Sequence, residues 1–197
     1  NAVVLLNYKK IKTRERKFED FRKNFLSLTK EFLDSSNIES ELGSDYYISG
    51  SDQIWNVRAK DCADFYYLDF VKNAKKISYA ASFGPLKIDW DKYDKEKFTA
   101  LLNDYSKISV REEGSQENLK ALTDKHCEIN IDPTLLLSAK EWRKIQSNAN
   151  YNNGKYILLY CLEPSKKQLK IAKAISKKLE LPIVVLRYNN KNDIFNS

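Results

Sequence analysis

Four short β-prone runs each stop in residues able to handle an anion or a proton. Gly50-Ser51-Asp52-Gln53 follows Tyr46-Tyr47-Ile48, and Ser82-Phe83-Gly84 follows Lys76-Ile77-Ser78-Tyr79-Ala80-Ala81. Arg111-Glu112-Glu113 follows Ile108-Ser109-Val110, and Asp132-Pro133-Thr134 follows Glu128-Ile129-Asn130-Ile131. Arg111 offers the planar guanidinium that grips a carboxylate or phosphate at two points. Gly50 with Ser51, and Ser82 with Gly84, can turn N–H groups and hydroxyls toward an anion. Asp52 and Glu112 are carboxylates for acid–base steps or for holding a sugar hydroxyl. Glu112 is better suited to pairing with its neighbour Arg111. Turn chemistry alone explains Gly84 and Asp132-Pro133 well. It does not explain Arg111, whose charge directly continues a buried strand and must find a partner.

Other chemistries lack their residues. His126 is the single histidine, in the polar stretch Thr123-Asp124-Lys125 and away from the four clusters, so no Ser-His-Asp set can be assembled around it. Neither a Walker A nor a G-x-G-x-x-G sequence occurs, and metal-ligand spacing is absent, so no metal site is expected. Cys62, Cys127 and Cys161 are odd in number with no C-x-x-C spacing, which argues against a disulfide framework and fits a reducing cytoplasm.

The elements that must position the clusters alternate. After the runs ending at Ser82, Arg111 and Asp132, helices are expected at 92–105, at 115–122 and at 139–146. Strands alternating with helices indicate an α/β fold, a Rossmann-like parallel sheet sandwiched by helices. In such open sheets ligands bind outside the carboxyl ends of the strands, so parallel strands would bring all four clusters to one edge. Upstream, Val3-Val4-Leu5-Leu6 reads as a short strand and 13–33 as a helix. In that helix Phe18, Phe21, Phe25, Leu28 and Phe32 form one apolar stripe expected to pack on the core. The polar stretch 148–154 is the linker candidate. Beyond it, Tyr156-Ile157-Leu158-Leu159-Tyr160-Cys161-Leu162 reads as a strand buried on both faces. A helix at 164–179, with Leu169, Ile171, Ala172, Ala174 and Ile175 inward, and the strand Pro182-Ile183-Val184-Val185-Leu186 complete a β–α–β unit of about 30 residues. The expected organisation is an N-terminal Rossmann-like domain at 1–147 without its first βα region, the linker, and the start of a second Rossmann-like domain at 155–197.

Composition agrees with a folded domain. Of 197 residues, 42% are hydrophobic and 12% aromatic, enough for a core and against disorder. No apolar run approaches the roughly 18–20 residues of a membrane span. The net charge is +7, and residues 9–30 carry nine of the basic residues against three acids. The aromatics there are committed to one stripe rather than spaced for base stacking, so nucleic acid is not an expected partner. The same basic region is the place for any peripheral contact with a membrane. The chain opens on Asn1 and contains no Met, which reads as a fragment.

The clusters and their neighbours resemble the polysaccharide pyruvyl transferase family. The matching stretches are Ile48-Ser49-Gly50-Ser51-Asp52-Gln53-Ile54-Trp55-Asn56, Tyr67-Leu68-Asp69-Phe70, and Ile77-Ser78-Tyr79-Ala80-Ala81-Ser82-Phe83-Gly84. They continue in Ile108-Ser109-Val110-Arg111-Glu112-Glu113 and Asp132-Pro133-Thr134-Leu135-Leu136. The resemblance implies a two-domain fold similar to glycosyltransferase-B enzymes. It implies transfer of pyruvyl from phosphoenolpyruvate to a sugar of a cell-surface polysaccharide or a lipid-linked precursor, with no cofactor beyond that donor. On this pattern Arg111 meets the donor anion, with Asp52 and Glu112 as acid–base candidates. Gly50, Ser51, Gln53, Asn56, Ser82, Phe83, Gly84, Asp132 and Thr134 line the substrates. A cytoplasmic enzyme at the inner membrane face is the expectation. Two family segments have no counterpart in the sequence: an early Asn-Tyr-Gly-type loop, and a later Asn-Ser-Phe-His-Gly segment that carries a donor-site histidine. The competing readings are a nucleotide-sugar glycosyltransferase of the same architecture and a non-catalytic anion- or glycan-binding module.

Overall fold

The computed structural model describes residues 2–32, 34–146, 154–161 and 164–186. It divides into two compact units between Ser138 and Ala139. Of the expected linker, all but Gly154 lies outside the described residues.

In the first unit, β1 (Tyr46–Ser49), β2 (Lys75–Ser78), β3 (Tyr105–Val110) and β4 (Cys127–Ile129) form one sheet in sequential order. Every neighbouring pair is parallel. Along β1 the side chains alternate, with Tyr47 and Ser49 buried and Tyr46 and Ile48 exposed, as the two-residue period of a strand requires. The buried face meets a core of Tyr47, Trp55, Tyr67, Phe83, Trp90 and Tyr105, among others. Helices flank the sheet. Helix α3 (Lys95–Asn103) starts where Asp94 accepts a hydrogen bond from Lys97 N–H at 3.0 Å, and it buries Phe98 and Leu102, one turn apart. Helix α4 (Glu113–Lys120) buries Ser115, Asn118 and Leu119 and leans on β3 and β4.

Between β2 and β3 the register shifts at Lys76/Ile77. Two buried serines close the join. Ser109 N–H donates to Ser78 Oγ at 2.9 Å, Ser78 Oγ donates to Ser109 carbonyl at 3.0 Å, and Ser109 Oγ donates to Ser78 carbonyl at 3.0 Å. Ser109 Oγ also accepts from Ala80 N–H at 3.0 Å. Buried backbone groups that an irregular ladder leaves over are thereby paired.

The N-terminal region departs from expectation. Val3-Val4-Leu5-Leu6 lies inside helix α1 (Ala2–Phe25) rather than in a strand. A short apolar run fits either structure, and here the adjoining helix extends back through it. The helix also stops at Phe25, short of residue 33, and Phe18, Phe21 and Phe25 are exposed while only Phe32 packs against the core. Helical spacing tells which residues share a face, not what that face meets. A short helix α2 (Ile38–Leu42) precedes β1. No helix among the described residues is long and apolar enough to cross a membrane.

The second unit holds α5 (Ala139–Ile145) and a β–α–β element: β5 (Ile157–Tyr160), α6 (Lys166–Leu179) and β6 (Ile183–Leu186), its strands parallel. Ser165 and Gln168 form a reciprocal capping box at the start of α6. The expectation of a strand buried on both faces is corrected: Leu158 and Tyr160 of β5 are exposed. Likewise Ala172 alone of the inward set is buried, with Ile171 and Ile175 exposed. Both patterns are those of a single β–α–β layer with one covered face.

Candidate active site

Four parallel strands in sequential order place their carboxyl ends along one rim of the first unit. Helix α4 begins directly after β3, so Arg111 and Glu112 stand at the junction without an intervening loop. Arg111 N–H donates to Ala81 carbonyl at 3.1 Å, extending the strand pairing one step beyond the ladder and fixing where its side chain departs.

The guanidinium finds three carboxylates. Nη1 donates to Asp132 Oδ2 at 3.0 Å, Nε donates to Glu112 Oε2 at 3.4 Å, and Nη2 lies 3.7 Å from Asp52 Oδ1. The three contacts differ in kind. Asp132 is held in place from several sides: Thr134 N–H and Oγ1 donate to its Oδ1 at 2.9 and 2.7 Å, and Ser51 Oγ donates to its Oδ2 at 2.9 Å. Glu112 is occupied as well, its Oε1 accepting from Ser82 Oγ at 2.6 Å and from Ser115 Oγ. Asp52 is different. Its side chain is 88% exposed and its contact with Arg111 exceeds hydrogen-bond length.

Charge states follow from these partners. The Thr134 hydroxyl and N–H, then Arg111 and Ser51, hold the Asp132 carboxyl well below the usual carboxylate range. Partial burial pulls the Arg111 pKa down, but the bonds to Asp132 and Glu112 outweigh it and the net shift is upward. Arg111 and Asp132 are thus a fixed charged pair at neutral pH.

The loops carrying these groups are laced together. Ser82 N–H donates to Asp52 carbonyl at 3.0 Å, Trp55 N–H donates to Ser82 carbonyl at 3.1 Å, and Ser51 Oγ reaches Ala80 carbonyl at 3.1 Å. The approach is close enough that a Cβ on Gly50 would fall 2.0 Å from Tyr79 carbonyl oxygen. Left-handed backbone recurs here at non-glycine residues, Asp52 (φ 61°) and Ala80 (φ 52°). Such conformations cost of order 1–3 kcal/mol each and persist where the surroundings over-determine them.

All twelve residues expected at the site lie on or under this rim, in different roles. Ser51, Asp52, Arg111, Glu112, Asp132 and Thr134 converge in one network. Gly84 N–H is taken by Ser82 Oγ at 2.9 Å, so it is not turned toward an anion as its sequence position suggests. The Phe83 side chain is fully buried between Trp55 and Trp90 and serves the core. Gln53 and Asn56 pair with each other, Asn56 Nδ2 donating to Gln53 Oε1 at 2.9 Å. Sequence reasoning missed Ser115, which accepts from Phe83 N–H at 2.8 Å and donates to Glu112. Its position three residues after Glu112, in the first turn of α4, is the signal that marks it. His126 stands apart on the surface near Glu128.

The family model for polysaccharide pyruvyl transferase matches residues 2–196. The chain belongs to the polysaccharide pyruvyl transferase family. No curated protein and no solved structure gives a match. Membership makes a polysaccharide the acceptor class and a transfer the type of reaction. Among the described residues no group of His, Cys, Asp and Glu is arranged to hold a metal ion.

Proposed function

We propose that the protein transfers the pyruvyl group of phosphoenolpyruvate to two hydroxyls of one sugar, forming a cyclic ketal and releasing phosphate. The observation that carries this reading is the convergence of Arg111 with Ser51, Asp52, Glu112 and Asp132 at strand ends, in a chain of this family. The donor carries a carboxylate and a phosphate, and Arg111 is the cation able to orient either one at two points. Asp52, exposed and loosely paired, yields its place at Nη2 to the donor. Asp132 and Glu112, fixed by other bonds, keep the guanidinium aimed.

The chemistry balances in bonds and in protons. A proton adds to the enol methylene, giving a methyl group and a cation at the adjacent carbon. One sugar hydroxyl adds there and loses its proton. The bond from that carbon to the phosphate oxygen then breaks, and the second hydroxyl adds and loses its proton. One hydroxyl proton replaces that taken up by the methylene, and the other leaves with phosphate. Arg111 stabilises charge on the donor, and Asp52 accepts a proton from the hydroxyl that reaches it. Glu112, with both oxygens engaged, positions Arg111. The reading asks for no cofactor beyond the donor. It takes the β–α–β element of the second unit as belonging to a second Rossmann-like domain in a glycosyltransferase-B-like protein, working in the cytoplasm on a glycan precursor. Residues 9–30 are its contact with the membrane face.

The test supplies the protein with phosphoenolpyruvate or a sugar nucleotide, each with glycan acceptors. Phosphate release that depends on acceptor is the expected result. Nucleotide release without phosphate release would identify a glycosyltransferase and overturn the proposal.

A further inference from the structure

A cleft of about 390 Å³ opens beside Asp52, lined by Gln53, Ile54, Asn56, Asp61 and Tyr66 among others. Its volume is near the lower end of the roughly 300–1,000 Å³ typical of small-molecule sites. We infer that this cleft binds a neutral pyranose ring of the acceptor, presenting its vicinal hydroxyls to Asp52; the inference rests on the pyruvyl-transfer reading for which molecule enters.

The lining chemistry selects the ligand. Two carboxylates and two carboxamides accept and donate the hydrogen bonds that vicinal hydroxyls need, while Ile54 and the Tyr66 ring offer apolar surface to the C–H face of a sugar. Among the described residues no lysine or arginine lines the cleft. Of the cations nearby in the chain, Arg58 is turned away and donates to the carbonyls of Leu86 and Lys87, and exposed Lys60 is not among the lining residues. A phosphate or nucleotide would therefore meet Asp52 and Asp61 with no cation in the lining, Arg111 standing at the rim beyond Asp52, whereas a neutral polyol meets only partners.

The cleft is also preorganised. Trp55, fully buried, ties its two sides together: its backbone belongs to the Gln53–Asn56 turn, and its indole Nε1 donates to Tyr66 carbonyl at 3.3 Å. The Tyr67 hydroxyl donates back to Trp55 carbonyl at 3.2 Å. Gly84 backs the amide pair so closely that a Cβ would lie 3.0 Å from Gln53 Oε1 and 3.1 Å from Asn56 Nδ2. Groups fixed before binding lose little entropy on binding.

Asp52 belongs to both places, lining the cleft and lying 3.7 Å from Arg111. A hydroxyl bound at Asp52 is therefore adjacent to a donor held by Arg111, while the charged and neutral substrates keep separate surfaces.

The experiment is a saturation-transfer NMR titration of the full chain with a methyl hexopyranoside bearing free vicinal hydroxyls, with and without phosphoenolpyruvate. Wild type, Gln53→Ala and Asp61→Ala are compared; both side chains are exposed, so truncation spares the core. Glycoside affinity should fall about tenfold in each variant, with binding of phosphoenolpyruvate unchanged. Equal glycoside binding in all three proteins, or none in wild type under either condition, overturns the inference. Loss in the variants, in a protein that never releases phosphate from phosphoenolpyruvate, keeps the cleft and removes pyruvyl transfer. Acceptor-dependent phosphate release indifferent to both substitutions does the reverse.

Discussion

Ser51 and Asp132 stand 81 positions apart in the chain, and the Ser51 hydroxyl donates a 2.9 Å hydrogen bond to Asp132 Oδ2. The same oxygen receives Arg111 Nη1 at 3.0 Å. One carboxylate oxygen thus joins the ends of β1, β3 and β4 and fixes the direction of the guanidinium. The arrangement exists because the strands run parallel and in order; an antiparallel neighbour would send its polar end to the opposite rim.

Replacing Arg111 should separate charge from geometry. Arg111→Ala removes the cation aimed at the donor and should lower acceptor-dependent phosphate release by about 10²–10³-fold, the usual cost of losing one preorganised donor. Arg111→Lys keeps a point charge but cannot bond at two points and should recover only part of the rate. Full activity in the alanine variant would remove Arg111 from the donor site.

The acid limb of stability should report on Asp132. Its carboxyl titrates below the ordinary value of about 3.9 in the folded chain. The unfolded chain therefore takes up the proton first. The stabilisation is complete above that value and is lost as pH falls from about 4 toward the lower folded pKa. Urea midpoints measured from pH 7 to pH 3 should fall less steeply at the acid end for Asp132→Asn than for wild type. Parallel curves would show that this carboxylate contributes nothing specific.

Much of this rim was legible from the chain alone, for a definite reason. Runs such as Tyr46-Tyr47-Ile48 and Ile108-Ser109-Val110 are short and β-prone, and each gives way to polar residues. Parallelism alone then assembles the clusters. The sequence could not say which polar groups would face a ligand and which would satisfy each other. Gly84 N–H and Ser82 Oγ resemble anion ligands by type, yet bond to one another at 2.9 Å. Nor could it reveal the cleft between Gln53 and Tyr66, which depends on Trp55 reaching across to Tyr66 carbonyl. The Phe18, Phe21 and Phe25 stripe misled because periodicity fixes a face and leaves its partner open.

The serine join between β2 and β3 should be measurable in stability. Ser109→Ala would leave the buried N–H of Ala80 without its acceptor and break the bond to Ser78 carbonyl. An unpaired buried polar group costs about 1–3 kcal/mol. Chemical denaturation should show a loss in that range, with the denaturant slope unchanged because the surface exposed on unfolding is the same. A variant as stable as wild type would mean that water or a backbone shift satisfies Ala80.

Gly50 gives the sharpest local test, since two independent constraints meet there. Its φ of +132° is a region that side chains rarely enter, and a Cβ would fall 2.0 Å from Tyr79 carbonyl oxygen, a backbone atom that cannot rotate away. Gly50→Ala must therefore move the loop or the end of β2. The strained conformation alone is worth about 1–3 kcal/mol, so unfolding stability should drop by at least that much. The displacement should also carry Ser51 away from Asp132, so phosphate release should fall even under conditions where the variant is fully folded. Gly43→Ala is the control, because that glycine is also left-handed (φ +56°) but has nothing within 4 Å of its Cβ position. It should lose stability alone. If both variants lose stability equally and keep full activity, the contact between Gly50 and Tyr79 does not shape the site.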